Sequence, residues 1–221
     1  MKRINSRQKG ARGERAFRDL LRAEGYLSAR RGQQFCGGAD SPDIICPELD
    51  FIHWEVKSVE KLNLYDALAQ ARRDCGSKVP VVAHRRNYWP WLVTLETWEL
   101  FNGTEGWLAG GCFFARPVCR RLGVQEAMAK ACREAKGRAA FVLHRRNSQT
   151  WLVTMKAETF FQLLRGEVPG IPRCRLSALA EGRGHGIEGN HGRNGAELTQ
   201  ETISGGGVPS VDKQQGTAAL N

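Results

Sequence analysis

Ser41-Pro42-Asp43-Ile44-Ile45-Cys46-Pro47-Glu48-Leu49-Asp50-Phe51-Ile52-His53-Trp54-Glu55-Val56-Lys57-Ser58 is the stretch whose reading decides the fold. Two apolar runs, residues 44–45 and 51–59, flank the polar turn 46–50 and predict two strands. Alternation along the second places Ile52, Trp54 and Val56 on one face and His53, Glu55 and Lys57 on the other. An acid and a lysine on one face in mid-strand are costly to bury unless paired or used. Asp43, at the mouth of the first strand, reaches the same spot. Two carboxylates and an ammonium there form a site for a hard divalent cation beside a phosphate. An amphipathic hairpin with a surface ion pair has the same pattern and is the plainer alternative.

Outward from this stretch, the chain of 221 residues is long enough for one domain or one and a half. Its net charge of +10 predicts an anionic partner, most simply nucleic acid. No apolar run approaches the roughly 20 residues of a membrane span. The basic N-terminus leads into no apolar segment of the signal-peptide kind, so no membrane association and a cytoplasmic location are expected. The seven cysteines lack regular spacing and read as reduced thiols, with Cys112 and Cys119 too poorly partnered for zinc.

Residues 6–24 predict a helix capped by Ser6 and ended by Gly25. Glu14, Phe17, Leu20 and Leu21 share its apolar face, while Lys9, Arg12, Arg15, Arg18 and Arg22 line the other. Gly10 and Gly13 predict a close approach of backbone or ligand. Residues 26–30 predict a short strand ending at Arg30-Arg31, and residues 32–40 a polar, glycine-rich loop. Residues 63–75 predict a helix with Leu64, Leu68 and Ala71 inward, on which Gln70 also lies. Residues 80–84 and 91–95 predict a hairpin whose tip, Arg85-Arg86-Asn87-Tyr88, is basic and aromatic, suited to backbone contact and base stacking.

The Pro42-Asp43 and Glu55-Val56-Lys57 pattern resembles the PD-(D/E)XK nuclease superfamily. With Lys9-Gly10-Ala11-Arg12-Gly13-Glu14-Arg15, Gly25-Tyr26 and Arg30, residues 5–101 are similar in order and spacing to its archaeal-type Holliday-junction resolvase branch. The resemblance implies an α/β, restriction-endonuclease-like αβββαβ core around a mixed sheet. It implies a Mg²⁺ site, with Mn²⁺ as a substitute, on Glu14, Asp43 and Glu55, with Lys57 as the fourth catalytic residue. It implies DNA contacts by Arg15 and Arg30, to which Lys9, Arg31, Arg85 and Arg86 are added by position. Related nucleases often carry a glutamine where Gln70 stands. A homodimer whose two sites cut opposite strands, leaving 5′-phosphates, is also implied. The 32–40 loop is longer than the connection usual in this branch.

The chain then repeats at an interval of 60 residues: His84-Arg85-Arg86-Asn87 as His144-Arg145-Arg146-Asn147, and Trp91-Leu92-Val93-Thr94 as Trp151-Leu152-Val153-Thr154. The second copy has no Pro-Asp or Glu-Val-Lys, and Lys130 replaces Gln70. His84 and His144 read as strand-end polar residues rather than ligands. The organisation expected is a nuclease core at 1–103, a degenerate helix-and-hairpin repeat at 104–166 and a disordered tail at 167–221 with a short turn near 176–181. A chain cut after Gly103 is accordingly expected to keep the chemistry.

The function expected is a Mg²⁺-dependent, structure-specific DNA endonuclease, resolvase-like and acting on branched or junction DNA in repair or recombination. The alternatives are a restriction-like or general nuclease of the same fold, and a non-catalytic DNA-binding module. A small-molecule enzyme finds no phosphate-cradling glycine loop after a strand and no Ser/His/Asp arrangement. The size and basic character also suit bacterial proteins and those encoded by phages.

Overall fold

Phe17 and Leu21, one turn apart on a helix whose other face is arginine-rich, are fully buried, and that stripe fixes how the first element docks. In the computed structural model, which describes residues 6–32, 42–100, 113–117, 123–146, 148–169 and 174–182, this helix is α1 (Ser6–Ala23). Its end follows the expected glycine cap. Gly25 takes φ +98°, Tyr26 N–H donates to Leu21 O (3.0 Å) and Gly25 N–H donates to Arg22 O (3.1 Å). The chain then turns through residues 26–29, with Ala29 N–H donating to Tyr26 O. The strand expected at 26–30 is therefore shorter and later: β1 is Arg30–Arg31.

β2 (Ile44–Ile45) and β3 (Ile52–Ser58) flank a single 3-10 turn at Pro47–Leu49. Then come α2 (Leu64–Asp74), β4 (Val79–Arg85), β5 (Leu92–Glu96) and α3 (Thr97–Leu100). The second half runs β6 (Phe113–Pro117), α4 (Val124–Glu134), β7 (Ala139–His144), β8 (Leu152–Lys156), α5 (Ala157–Leu164) and α6 (Arg175–Glu181). The fold is α/β, with one mixed eight-stranded sheet in the order β1-β2-β3-β4-β5-β8-β7-β6. β3 runs parallel to β4 and β6 to β7; the other pairs are antiparallel.

Strand alternation gives the sheet two packed faces. Trp54, Val81, Val93, Leu95, Val153 and Met155 bury against α1, α5 and α6, and Phe160 and Phe161 of α5 pack around Trp54 with Phe17. Val82, Leu92, Val142 and Leu152 bury against α2 and α4 on the other face.

The repeat extends to backbone and contacts. Gly76 and Lys136 both have positive φ, as do Tyr88 and Ser148. Arg85 lies over the Trp91 ring at 4.6 Å, and Arg145 over Trp151 at 4.9 Å. The two copies meet at β5 and β8, where Thr94 stands directly opposite its counterpart Thr154. The halves are thus related by a pseudo-two-fold axis normal to the sheet. Residues on both sides of 103 share one core within a compact unit that runs to Gly186, so the boundary expected at 103–104 does not divide compact units.

Ordered structure also runs past the expected tail start at 167. Val168, Cys174 and Leu176 are buried, and the turn expected near 176–181 is helix α6, whose Leu176 joins the core. The remaining tail, the Gly-rich loop from residue 33, and Cys112 and Cys119 lie outside the described residues. The four described cysteines are free thiols, and among the described residues no helix is long and apolar enough to cross a membrane.

A buried polar chain crosses the pseudo-two-fold: His84 Nε2 to Thr94 Oγ1 (2.8 Å), Thr94 Oγ1 to Thr154 Oγ1 (2.6 Å), and Thr154 Oγ1 to His144 Nε2 (3.0 Å). Three hydrogen bonds need three protons, and two hydroxyls supply two. At least one histidine therefore donates from Nε2. Burial pushes the His84 imidazole down to about 3 and that of His144 to about 4, so both are neutral at physiological pH. Between those values and about 6.5 the unfolded chain binds protons that the folded chain refuses. Stability contributed here is complete above about pH 6.5 and is lost as pH falls through about 4 toward 3. In urea titrations His84→Gln/His144→Gln flattens that acid limb; a limb of unchanged steepness refutes the assignment.

Candidate functional site

β3 is held between β2 and β4, and that pairing brings the acidic residues together. Asp43 precedes β2, and its N–H donates to Trp54 O (3.1 Å) across the β2–β3 pair. Its carboxylate then turns onto β3, where Oδ2 accepts the Val56 N–H (2.8 Å). Val56 is the middle residue of Glu55-Val56-Lys57, so this one bond fastens Asp43 between the other two candidate side chains. Glu55 is 4% exposed, and Lys57 Nζ forms an ion pair with its Oε1. Lys57 Nζ also donates to Gln70 Oε1 (3.3 Å), which places α2 over the site.

α1 closes the other side. A Cβ on Gly13 would lie 2.9 Å from Ser58 Cβ, so only glycine allows the helix to sit this close to the end of β3. Gly10 has no comparable contact, its Cβ position being an ordinary 3.8 Å from Glu14 Oε1. Glu14, one residue beyond Gly13, is 6% exposed and accepts from Arg31 Nε (2.7 Å).

The acids feel one another. Burial first, then the charges of Glu55 and Glu14, push the Asp43 carboxyl up to about 7, against the opposing Val56 hydrogen bond and Lys57. Burial also raises the Glu55 carboxyl, opposed by Lys57 and reinforced by Asp74 and Glu14. Glu14, Asp43, Glu55, Lys57 and Gln70 are thus brought together. So is Asp74, which sequence reasoning missed. Its position one helical turn after Gln70 was the available clue, because residues four apart share a helix face.

The expected cationic contacts divide by environment. Arg15 and Arg30 are exposed and Lys9 is half-buried. Arg31 is tied to Glu14, so it supports the acidic group from within. Arg85 lies over Trp91, and Arg86 forms ion pairs with Glu60 and with Glu126 of the second copy. Asn87 and Tyr88 are the exposed residues of the tip.

In the second copy, the β6–β7 register puts Arg116 where the β3–β4 register puts Glu55. With an arginine at the acid's position, the described residues of the two copies hold one acidic site.

Among the described residues no three His, Cys, Asp or Glu side chains form a ready-made metal cage. Glu14 and Glu55 are instead paired with Arg31 and Lys57. The donor chemistry nonetheless suits a hard divalent cation. It consists of carboxylate oxygens, and the Asp43 proton affinity is raised by burial and by the neighbouring charges that such a cation relieves. No family model, curated protein or solved structure matches this chain.

Proposed function

We propose that this protein is a divalent-cation-dependent DNA endonuclease with a restriction-endonuclease-like core, acting on branched DNA. The observation that carries the reading is the Asp43 Oδ2 to Val56 N–H bond, which sets an acid with a raised pKa between Glu55 and Lys57. Such a placement of buried acids is costly to stability and is typical of groups kept for chemistry. The run α1-β1-β2-β3-α2-β4 supplies the αβββαβ order, and the excess positive charge suits a polyanion.

Asp43 and Glu55 would hold Mg²⁺, with Glu14 at its margin; the ion supplies phosphate polarisation and a more acidic water. Lys57, steadied by Glu55 and Gln70, orients the attacking water and offsets charge developing on the phosphate. Water oxygen bonds to phosphorus and the bond to the 3′-oxygen breaks, leaving a 5′-phosphate. One acidic site per chain makes one nick per binding event. Cutting both strands then requires two chains or two events, so the homodimer remains part of the proposal. The deciding assay incubates the protein with labelled four-way junction, flap, duplex and single-stranded DNA, with and without Mg²⁺. Mg²⁺-dependent nicks confined to the junction support the resolvase form, nicks in all substrates the general nuclease. Tight binding with no cleavage of any substrate refutes catalysis.

One observation favours a non-catalytic binding module as the second reading: Glu14 and Glu55 already have cationic partners. Arg30 and Arg31 separate the roles of charge. Arg30 is exposed, so Arg30→Ala lowers the salt slope of DNA affinity by about one unit. Arg31→Ala strips the partner from buried Glu14, so it lowers thermal stability and any activity more than it alters that slope. Equal salt slopes for Arg30→Ala and the parent remove Arg30 from the interface.

A further inference from the structure

Beside the acidic site lies a cavity of about 290 Å³, bounded by the chain leaving β3, the end of β4 and the start of α4. It begins at Val59, two residues beyond Lys57. Leu62, Leu64 and Val124 give it apolar walls, Lys61 and Arg86 stand at its cationic side, and Glu60 and Glu126, both paired with Arg86, give it acidic ones. Gln125, also in its lining, is 5% exposed, and neither its amide oxygen nor its amide nitrogen has a hydrogen-bond partner among the described residues. A buried amide left with both ends unpaired is costly unless something else pairs it. Glu126 Oε2 is likewise unpartnered, while its Oε1 pairs with Arg86.

The pseudo-two-fold shows what shape belongs there. Gln125 is the second-copy counterpart of Tyr65, 60 residues earlier. Tyr65 meets the opposite hairpin tip: the Arg146 guanidinium lies 5.4 Å from its ring centre, the Arg146 N–H donates to its hydroxyl (2.9 Å), and that hydroxyl donates to Thr150 O (3.1 Å). By symmetry Gln125 faces the other tip, where Arg86 stands. On one side of the axis a planar ring with a polar edge fills the place; on the other the ring is missing and a cavity remains.

We infer that this cavity binds one nucleotide, its base occupying the volume of the missing ring, paired by the Gln125 amide, with its phosphate toward Lys61. An amide that both donates and accepts matches a base edge, and guanidinium groups suit both a ring face and a phosphate. The nucleotide comes from the DNA next to the cleaved phosphate or from the free nucleotide pool. Only the first source rests on the nuclease reading.

The test uses the full chain with Ca²⁺ in place of Mg²⁺, titrated with 5′-dAMP, 5′-TMP and a short single-stranded DNA. Gln125→Tyr refills the space with the residue its counterpart uses, and Gln125→Leu keeps the space but removes the amide. Both variants are checked by thermal melting. Expected are millimolar binding of at least one mononucleotide, its weakening about tenfold or more in each variant, and a matching rise in Kd for DNA. Weakening of DNA alone assigns the site to the substrate strand. Mononucleotide binding that depends on Gln125, with no DNA binding or cleavage, assigns it to free nucleotides and overturns the nuclease reading instead. No mononucleotide binding at about 10 mM, together with DNA affinity unchanged in both variants, overturns the inference.

Discussion

Asp43→Asn reduces Mg²⁺-dependent cleavage at least about 1000-fold and raises the melting temperature at pH 8. Both effects have one cause. Asparagine retains an oxygen to accept the Val56 N–H, so the local backbone is kept. It removes a charge that burial and the neighbouring Glu55 and Glu14 make costly. Because the folded-state value is raised to about 7, the folded chain holds the Asp43 proton more tightly than the unfolded chain does. Stability from this group is therefore full below about pH 4 and is lost as pH rises through about 7. The gain in the variant is absent below about pH 4, grows as pH rises and is complete above about pH 7. A shift of this size corresponds to at most about 4 kcal/mol, and a realised 1–3 kcal/mol raises Tm by roughly 3–10 °C. Glu55→Gln should lose activity comparably but gains less, because Glu55 is already offset by Lys57. Cleavage by Asp43→Asn at the parent rate removes Asp43 from the chemistry. An unchanged Tm at pH 8 with activity lost places the charge in a wetter setting than its burial indicates.

How much of this was legible in sequence depended on whether a feature is local. The alternation of Ile52, Trp54 and Val56 against Glu55 and Lys57 is a property of seven consecutive residues, and it predicts β3 nearly to its ends. Glu14 on the apolar side of an arginine-rich helix and Gly13 as a close approach follow from helical spacing, and the Gly13–Ser58 contact gives the glycine its reason. Asp43 was located by its motif, but its bond to Val56 depends on register between β2 and β3. The 60-residue interval was equally plain, yet it identifies two copies without saying how they meet. Their junction pairs β5 with β8, two segments whose sequences are nearly the same, so nothing in either alone distinguishes self-association from any other edge. The same limit hid Arg31 as the partner of Glu14, Asp74 beside Glu55, and α6 under the core. Each joins residues far apart in the chain through side chains that are individually unremarkable.

Ending the chain after Gly103 yields a product that does not fold, contrary to what the motif order alone suggests. All the acidic residues and the first copy precede that point, but the core they stand on does not. Trp54, on the same strand as Glu55, packs edge-on to Phe160 at 5.9 Å between ring centres and also against Phe161. Phe160, Phe161, Leu163 and Leu164 are all at most 3% exposed. At about 1.5–3 kcal/mol for each buried side chain, their loss alone is on the order of 10 kcal/mol, against a total stability of about 5–15 kcal/mol. The truncation also strips β8 from β5, leaving Leu92, Val93 and Leu95 on a bare edge, and deprives Thr94 of Thr154. The expected result is an aggregating chain without a cooperative thermal transition, and without cleavage for that reason. A second product ending after Gly182 retains α5 and α6 and is expected to melt cooperatively near the full chain. Circular dichroism and limited proteolysis of the two lengths decide the matter. A cooperative, monomeric 1–103 product would show that the acidic site has a core of its own and that the second copy is an appendage; failure of both lengths would instead place essential packing beyond Gly182.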